Sequence, residues 1–498
     1  MAQSADKSKN FAARIISNIR QGDRVIWIIT LLLMMFSLMA IFSATSSKAI
    51  LGHISRVNIF GGQVKIVGAG LLLILCCCAF SSLKVFRKLS RWGFVFSLAL
   101  LSLMLFMQAT GKSIGPMSVT RTNSAIRAIS IGGFSLQVYE VVKVAMVMYL
   151  SWAIQTYESG SFKVTNALGD KFPSACGWMK SACAQRWIYI FIPVLMAPAL
   201  ILIGSTGSAM LVLATSLATL LIGGMKWKDL LAAGGISVLC LGIMIGVHIV
   251  SSGTMVKRFQ TAANRFGIEL PYPDAKARED QKKLIHKREA KLDEIEYKSA
   301  EFYEYLDKHR QPEAAEIAFV EGGRLPIGKG PGKSTQKYIV PVMYEDYMFD
   351  FLVEEYGLTI SMLVMILYIS LFARCVLIVQ HCSNRYAKAC VGGLGFLITG
   401  QALLHIIVNC NIGLLTGQTL PLISYGRCSF LCFSIALGVI LSISTMANKK
   451  LQKQQKEEQR LLLEDKDDIS AGLSILESID EEFEQQAENA ETEPNQEI

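Results

Sequence analysis

Long apolar segments recur along the whole chain and are separated by shorter polar stretches. A helix needs about 20 apolar residues to cross the hydrocarbon core of a bilayer, and about ten segments meet that requirement. They cover approximately residues 25–43, 64–80, 92–109, 138–154, 187–203, 208–225, 230–250, 349–371, 390–410 and 421–446. The pattern predicts an all-α polytopic membrane protein with about ten transmembrane helices and a large outer loop between helices seven and eight.

The distribution of lysine and arginine among the short loops predicts the orientation. Cytoplasmic loops carry an excess of these residues, and here the excess follows the even-numbered helices, at residues 84–91, 163–186, 226–228, 374–388 and 449–453. We therefore expect both termini in the cytoplasm. The basic segment 112–127 falls on the outer side and breaks this pattern, so that Arg127 is a candidate for binding an anionic ligand there.

This topology divides the chain into five parts. Residues 1–23 form a cytoplasmic N-terminal segment, 24–251 helices one to seven, 252–346 a large extracytoplasmic loop, 347–447 helices eight to ten, and 448–498 an acidic cytoplasmic tail. Alternating charges at 275–310 predict a solvated helical excursion of the outer loop. A charged helix is expected to continue to about residue 464, and the strongly acidic remainder predicts disorder.

Composition excludes several other classes of protein. Hydrophobic residues make up 52% of the chain and charged residues 18%, unlike a soluble globular protein. The net charge of +9 comes from cations dispersed around the ends of the predicted helices, so we expect no nucleic-acid partner. Most of the 12 cysteines lie inside predicted helices, and no spacing predicts a disulfide framework or a zinc site. No cofactor is evident.

The most unusual polar segment covers residues 322–357 and consists of a glycine-rich loop that leads into a helix start. It resembles a phosphate-binding P-loop around Gly332, but that motif requires a glycine where Ile327 stands, which excludes ATP binding. Irregular backbone persists near a bilayer only where it faces water or lines a cavity. The segment therefore predicts a functional site in which the loop lysines neutralise a phosphate group: Lys329, Lys333 and Lys337.

Two further segments carry polar residues near the outer ends of predicted helices. Glu140 and Lys143 are three residues apart, hence on one helical face. A charged pair inside a membrane segment indicates function by default, although a structural clamp between helices explains it as well. Before the last helix, the segment 416–426 offers the hydroxyl groups of Ser424 and Tyr425.

In this order and topology, the three segments resemble the SEDS family (shape, elongation, division and sporulation), which comprises polytopic peptidoglycan glycosyltransferases. The resemblance covers residues 23 to about 447. Its most specific part lies in the glycine-rich loop and the helix that follows, at Gly322, Gly323, Gly328, Gly330, Gly332, Ser334, Gln336, Lys337, Pro341, Asp346, Phe349, Glu354, Glu355 and Gly357.

The chain also departs from the family pattern. Tyr344 and Glu345 replace the usual His-Thr before Asp346. The other departures are Ala128 for a tryptophan, Val138 and Tyr139 for Pro-Ser, Ser205 for a frequent aspartate, Asp350 for a small residue and Arg427 for a glycine. These differences indicate a divergent lineage.

The resemblance implies an enzyme that polymerises lipid II into β-1,4 glycan strands with inversion at the anomeric carbon. It implies that Asp346 is the general base, at a position that also suits a helix N-cap. The implied substrate-binding residues are Arg127, Glu140, Lys143, Lys329, Lys333, Ser334, Gln336, Lys337, Glu355 and Ser424.

The resemblance further implies a place in the bacterial cytoplasmic membrane and a class B penicillin-binding transpeptidase as partner. The extended N-terminal segment and the long tail favour a role in cell division, with other division proteins bound through the tail. Assistance by a divalent cation stays open. Two alternatives also stay open: a lipid II flippase or other transporter, and a catalytically weak scaffold that activates a partner transpeptidase.

Overall fold

The computed structural model describes most of the predicted membrane region but little of the large loop. The described residues are 18, 21–51, 54–80, 82–110, 117–122, 125–131, 134–160, 162–202, 204–229, 231, 235, 314–324, 326–340, 343–410, 412 and 417–491. Predicted helix seven and the charged excursion at 275–310 therefore lie almost entirely outside the described residues, and the number of ten transmembrane helices stays a prediction.

Helices dominate the described part of the chain. In chain order they are α1 (Arg24–Ala44), α2 (Ser46–Leu51), α3 (Arg56–Ala79), α4 (Leu83–Thr110), α5 (Val138–Glu158), α6 (Lys163–Lys171), α7 (Pro173–Cys176), α8 (Ala182–Arg186), α9 (Ile192–Leu202), α10 (Thr206–Ile222), α11 (Met348–His381), α12 (Arg385–Asn409) and α13 (Arg427–Glu491). A helical segment at 314–323 precedes the glycine-rich loop. A π-helical turn, Trp187–Phe191, joins α8 and α9 into one apolar rod.

Seven helices of the described region are long and apolar enough to cross a membrane: Arg24–Ala44, Arg56–Ala79, Leu83–Met107, Ala182–Leu202, Met348–His381, Arg385–Asn409 and Arg427–Leu462. Helices also cover predicted spans four and six. The first of these, α5, contains Glu140 and Lys143 and is less apolar, and the second, α10, has only 17 residues. The apolar pattern thus located the helices of the described region correctly.

A three-stranded antiparallel sheet lies where the sequence was interpreted as a basic loop. Its strands are β1 (Met117–Thr122), β2 (Ala125–Ile131) and β3 (Phe134–Gln137), in the order β1-β2-β3. The strands alternate β-branched and polar residues and are joined by two-residue connections, which is the pattern of hairpins. β3 runs directly into α5 and so places the sheet beside the outer-predicted end of that helix.

Helix α5 forms the centre of the membrane region. Most of its side chains are buried, and it contacts α4, α10 and α12, with which it shares the main apolar cluster. Helix α11 packs against α12 and α1. Polar residues of α5 are therefore largely enclosed by protein, which determines the environment of Glu140 and Lys143.

The acidic tail differs from its prediction. Helix α13 continues through Glu491 instead of ending near residue 464. Glutamate is the most frequent residue between 465 and 491, and together with alanine, glutamine and leucine it makes up about half of this stretch. All four have high helix propensity, which accounts for a helix despite the acidic charge. By internal contacts the chain divides into two units, Met1–Thr445 and Met446–Ile498, and the functional site described below lies in the first.

Candidate active site

A polar cavity of about 310 Å³ lies among β2, β3, the start of α5, the turn before α11 and the turn before α13. Its lining includes Lys48, Glu140, Glu345, Asp346, Gln418 and Arg427. These residues come from segments far apart in the sequence, so the cavity exists only in the folded membrane region. Its volume and its convergent polar groups are typical of a ligand site.

Asp346, the predicted general base, lines this cavity and is half-buried. It lies in the turn before α11, where its carbonyl oxygen accepts a hydrogen bond of 3.4 Å from the Asn409 side chain. The N-cap of α11 is Tyr347, with no side-chain capping bond. The suggestion that Asp346 caps the helix is therefore wrong, and the residue instead belongs to the cavity lining.

His405 and Asn409 of α12 hold the turn around Asp346 in place. The Nε2 atom of His405 accepts a bond of 3.3 Å from the Phe349 amide, and its Nδ1 atom lies 2.6 Å from the Gln418 carbonyl oxygen. Because Nε2 accepts and a carbonyl cannot donate, these partners assign a neutral imidazole with its proton on Nδ1. His405 thereby connects α11, α12 and the turn before α13.

Glu140 and Lys143 form a buried ion pair at one side of the cavity. The Lys143 ammonium, in a residue only 1% exposed, donates to Glu140 at 2.7 Å, to Gln401 at 2.8 Å and to Gln418 at 2.7 Å. These three bonds use every proton of the ammonium group. Gln418 in turn donates to Ser208 at 3.0 Å, so the network ties α5, α10, α12 and the turn before α13 together.

The glycine-rich loop folds onto the start of α11. This helix is interrupted at Gly357 (φ 80°, ψ 174°), and the break frees the carbonyl groups of the preceding turn. The amides of Lys329 and Gly330 donate to the carbonyls of Glu354 and Glu355 at 2.9 Å each. Loop amides thus replace the helical amides that would otherwise donate to these two carbonyl groups.

The carboxylate of Glu354, a residue of α11, is the centre of a first set of contacts between the loop and this helix. It accepts bonds from the Thr335 amide at 2.8 Å, from the Lys329 ammonium at 2.8 Å and from the Ser334 hydroxyl. Lys329 also bonds Glu321. Partial burial lowers the pKa of Lys329, but the hydrogen bonds to these two carboxylates outweigh that effect and raise it overall.

Lys337 of the loop and Glu355 of α11 form a second set of contacts, and both residues are buried. Glu355 accepts from the Ser43 hydroxyl at 2.6 Å and from the Gly332 amide. The Lys337 ammonium donates to the Gly332 carbonyl at 2.9 Å and to Ser43 at 3.2 Å, and lies 3.9 Å from the Glu355 carboxylate. The pair fastens the loop to α1.

These contacts correct the sequence interpretation of the loop as an open cationic cradle. The ammonium groups of Lys329 and Lys337 neutralise glutamates of α11, and Ser334 is engaged with Glu354. The remaining loop lysine, Lys333, is exposed. Sequence spacing showed the cations but not the acidic partners that the fold brings to them.

The other predicted binding residues lie in three different elements. Gln336 is buried in a 3₁₀ turn, Gln336–Tyr338, and its amide bonds Glu354 at 3.3 Å. Ser424 donates to the Glu345 carbonyl at 2.9 Å and accepts from the Leu420 amide, so it shapes the turn before α13. Arg127 lies on β2, the strand whose Ala128 lines the cavity.

Two cations of the cavity were not predicted as site residues. Lys48 lies on α2, and Arg427 was noted only as a departure from the family pattern. Gln401 and Gln418 were missed as well. A glutamine inside the apolar segment 390–410 is itself a signal of a buried polar network, which would have found Gln401.

Within the described residues, no group of three or more His, Cys, Asp or Glu side chains is arranged to hold a metal ion.

Comparison with known proteins identifies the family and the fold. The cell cycle protein family that comprises FtsW, RodA and SpoVE matches residues 23–269 and 294–449. The chain belongs to this family. The match includes the turn of Asp346, the glycine-rich loop, and the segment that contains Glu140 and Lys143.

Several curated members of the family are similar along different lengths of the chain, and each is named a probable peptidoglycan glycosyltransferase FtsW. The protein of Coxiella burnetii is 27% identical over 367 residues, which cover 73% of this chain and 80% of that protein. The protein of Marinomonas mediterranea is 24% identical over 87% of this chain and 91% of its own length. That of Caulobacter vibrioides is 34% identical, over 28% of this chain and 34% of its own length.

Two solved structures share the fold. A chain from a peptidoglycan synthase complex that coordinates polymerization and crosslinking has a TM-score of 0.51 at 17% identity, over 85% of this chain and 97% of that chain. A variant of the Thermus thermophilus rod shape determining protein RodA has a TM-score of 0.50 at 16% identity, with the same coverage. At these identities the likeness concerns the fold, and it confirms the all-α polytopic membrane architecture.

Proposed function

We propose that this protein is a peptidoglycan glycosyltransferase that polymerises lipid II into β-1,4 glycan strands, in the service of cell division. Membership of the family and the names of its curated relatives support the activity. The observation that carries the proposal is the half-buried carboxylate of Asp346 in a polar cavity, in a turn held by His405 and Asn409.

The chemistry requires a base at the attacking hydroxyl group. The 4-hydroxyl oxygen of one lipid II molecule forms a bond to the anomeric carbon of another, and the bond from that carbon to the diphosphate breaks. Asp346 accepts the hydroxyl proton, and the diphosphate leaves with the bonding electron pair. A single displacement inverts the anomeric centre, from an α-linked donor to a β-linked product.

The buried network around Lys143 positions the cavity wall. Glu140 lines the cavity, while Lys143 holds Glu140, Gln401 and Gln418 at hydrogen-bonding distance. Because the pair is internally neutral, it adds a rigid polar surface without an uncompensated charge. We assign Glu140 and Lys143 a positioning role and Asp346 the catalytic role.

The proposal includes a location and partners. The loop charges support a bacterial cytoplasmic membrane location with both termini inside, and the reaction then takes place at the outer face. The fold shared with a chain of a peptidoglycan synthase complex supports a class B penicillin-binding transpeptidase as partner. The long α13 helix suits the recruitment of other division proteins.

Purified protein incubated with labelled lipid II tests the activity. We expect glycan polymer with β-1,4 linkages, resolved by electrophoresis and by digestion with a muramidase. Lipid movement across a vesicle membrane without polymer would instead favour a flippase. Absence of both activities, with stimulation of a transpeptidase, would favour a scaffold. The same reaction with and without EDTA measures the contribution of a divalent cation.

A further inference from the structure

An anionic ligand in the cavity requires a cationic group to bind it. Several lysines that the sequence predicted for this role are already engaged with other protein groups. Lys329 and Lys337 are paired with Glu354 and Glu355, and the three protons of Lys143 have three acceptors. Among the described residues that line the cavity, the remaining cations are Lys48 and Arg427. The question is whether their surroundings leave them available to a ligand.

Two tyrosine rings, rather than a carboxylate, hold Lys48. Its ammonium lies 4.7 Å from the Tyr344 ring centroid and 4.5 Å from the Tyr425 centroid, and the rings meet edge to face at 5.7 Å. Burial, together with the Glu345 carboxylate and nearby groups, raises the pKa of Tyr344 to about 12, so the ring remains a neutral phenol at physiological pH. Cation–π contacts orient an ammonium group without consuming its N–H donors.

Arg427 contacts one of these two rings, that of Tyr425. Its Nη2 atom donates to the Tyr425 hydroxyl at 3.1 Å, which leaves the other N–H groups of this exposed guanidinium for a ligand. No carboxylate of the described region forms an ion pair with either Arg427 or Lys48.

The position of Arg427 in its helix also indicates a ligand. It is the first residue of α13, where the helix dipole is positive, so that a cation there is destabilising and an anion is stabilising. An anion bound at this point would meet the guanidinium, the helix N-terminus and the Lys48 ammonium together. The combination of bidentate guanidinium and helix N-terminus is suited to phosphate oxygens.

We propose that Lys48 and Arg427, oriented by Tyr344 and Tyr425, form the subsite of the cavity that binds the diphosphate of the glycosyl donor. This inference rests on the proposed function for the identity of the ligand. The subsite takes over the part that sequence interpretation gave to Lys329 and Lys337. It also gives a role to two departures from the family pattern, Tyr344 and Arg427.

Binding of farnesyl diphosphate to the full-length protein in detergent tests the subsite directly, with farnesyl monophosphate as the comparison ligand. The variants are Lys48→Gln, Arg427→Gln and their combination. The matched controls are Lys84→Gln and Arg324→Gln, which remove exposed cations outside the cavity lining. Melting temperatures of all variants report whether they are folded.

We expect each single variant to weaken diphosphate binding about tenfold, equivalent to about 1.4 kcal/mol, and the double variant by more. The monophosphate should be affected less, the controls should match the parent protein, and Lys48→Arg should restore part of the loss. In lipid II polymerisation the same variants should raise KM more than they lower kcat.

Unchanged diphosphate binding in a folded double variant would overturn the subsite. Failure of the proposed function has a different signature: the parent protein would bind farnesyl diphosphate through Lys48 and Arg427 and yet form no polymer. Polymerisation by the parent protein with undiminished activity of the double variant would refute the subsite alone.

Discussion

Two buried charged residues of the membrane region differ in what surrounds them. Lys143 has three hydrogen-bond acceptors, one of them a carboxylate, whereas neither carboxylate oxygen of Asp350 has a partner among the described residues. Both side chains are removed from solvent. The same kind of position therefore stabilises the fold in one case and costs free energy in the other.

For Lys143 we predict that replacement by methionine lowers the free energy of unfolding by about 3–5 kcal/mol, because it leaves the buried Glu140 carboxylate unpaired. The double variant Glu140→Gln/Lys143→Met should recover part of that loss. Melting temperatures in detergent provide the measurement. Equal melting temperatures for the parent and Lys143→Met proteins would refute a structural role of the pair.

For Asp350 we predict that replacement increases the free energy of unfolding, the opposite of the effect at Lys143. The change Asp350→Ala removes a buried carboxyl group that has no hydrogen-bond partner among the described residues, and should raise the free energy of unfolding by about 1–3 kcal/mol. Asp346→Ala serves as the matched control, because Asp346 is half-buried and should show little change in stability. A lower melting temperature for Asp350→Ala would indicate that this carboxyl has a partner beyond the described residues.

At single positions, the sequence indicated which residues to consider for the site, but it did not indicate which groups those residues contact. Asp346, Glu140 and Lys143 were expected to belong to one site; Asp346 and Glu140 line one cavity and Lys143 bonds Glu140, while their roles stay predictions. The loop lysines were misjudged because their acidic partners in α11 are not evident from spacing. Lys48 carried no local signal, since only the fold brings α2 to the turn before α11.

Among the elements, the junction of the glycine-rich loop with α11 depends on glycine at two facing positions. A Cβ atom at Gly357 would lie 2.4 Å from the amide nitrogen of Gly328 and the carbonyl oxygen of Pro326. A Cβ atom at Gly328 would meet the amide nitrogen of Gly357 at the same distance. Both are backbone atoms, so the clash cannot be relieved by a side-chain rotation.

We predict that Gly357→Ala disrupts this junction and strongly reduces polymerase activity. Gly332→Ala is the matched control: its φ of 81° is also left-handed, but a Cβ atom added there would meet no described atom within 4 Å, so only backbone strain of about 1–2 kcal/mol is expected. Relative polymerisation rates and limited proteolysis of the loop provide the comparison. Similar behaviour of the two variants would contradict the close packing of loop and helix.

The long helices of the described region could be predicted because most are apolar runs of membrane-spanning length, whereas the short helices α2, α6 and α7 carry no such signal. The sheet of β1 to β3 was missed because a short basic segment outside the membrane was interpreted by its charge, and the alternation of β-branched residues was given no weight. The start of α13 was placed six residues too early, at Pro421, because residues 421–426 are apolar enough for a helix but are held as a turn by Ser424 and its bond to the Glu345 carbonyl.

The functional residues of the molecule belong to a different unit from the charged end of its long terminal helix. The cavity, the Lys143 network and the glycine-rich loop all belong to the unit Met1–Thr445, while most of the charged part of α13 belongs to the unit Met446–Ile498. This division follows the composition of the chain, since apolar residues give way to charged ones near Ala447.

We predict that deletion of residues 456–498 leaves the lipid II polymerisation rate within about twofold of the parent, because no residue of the site is removed and α13 keeps the length needed to cross a bilayer. Division function in cells should be impaired if the tail recruits partners. Loss of polymerisation by the purified truncated protein would show that the tail contributes to the site.

At this scale the sequence indicated the fold class and the family, because membrane spans and a long ordered motif are global signals. The inference that the acidic tail is disordered was weaker than the inference of the fold class. Acidic charge opposes compaction, but it does not oppose an isolated helix rich in glutamate. The departures from the family pattern could be found in the sequence, but their consequences required the cavity to be seen.

The central claim is that Asp346 is the base for glycan polymerisation, and the initial rate of lipid II polymerisation by purified variants tests it most directly. Asp346→Asn and Asp350→Asn remove neighbouring carboxylates, one lining the cavity and one buried outside its lining. We predict that Asp346→Asn lowers kcat by about 10²–10⁴-fold at an unchanged melting temperature, while Asp350→Asn retains the parent rate. Polymerisation by Asp346→Asn at the parent rate would contradict the account.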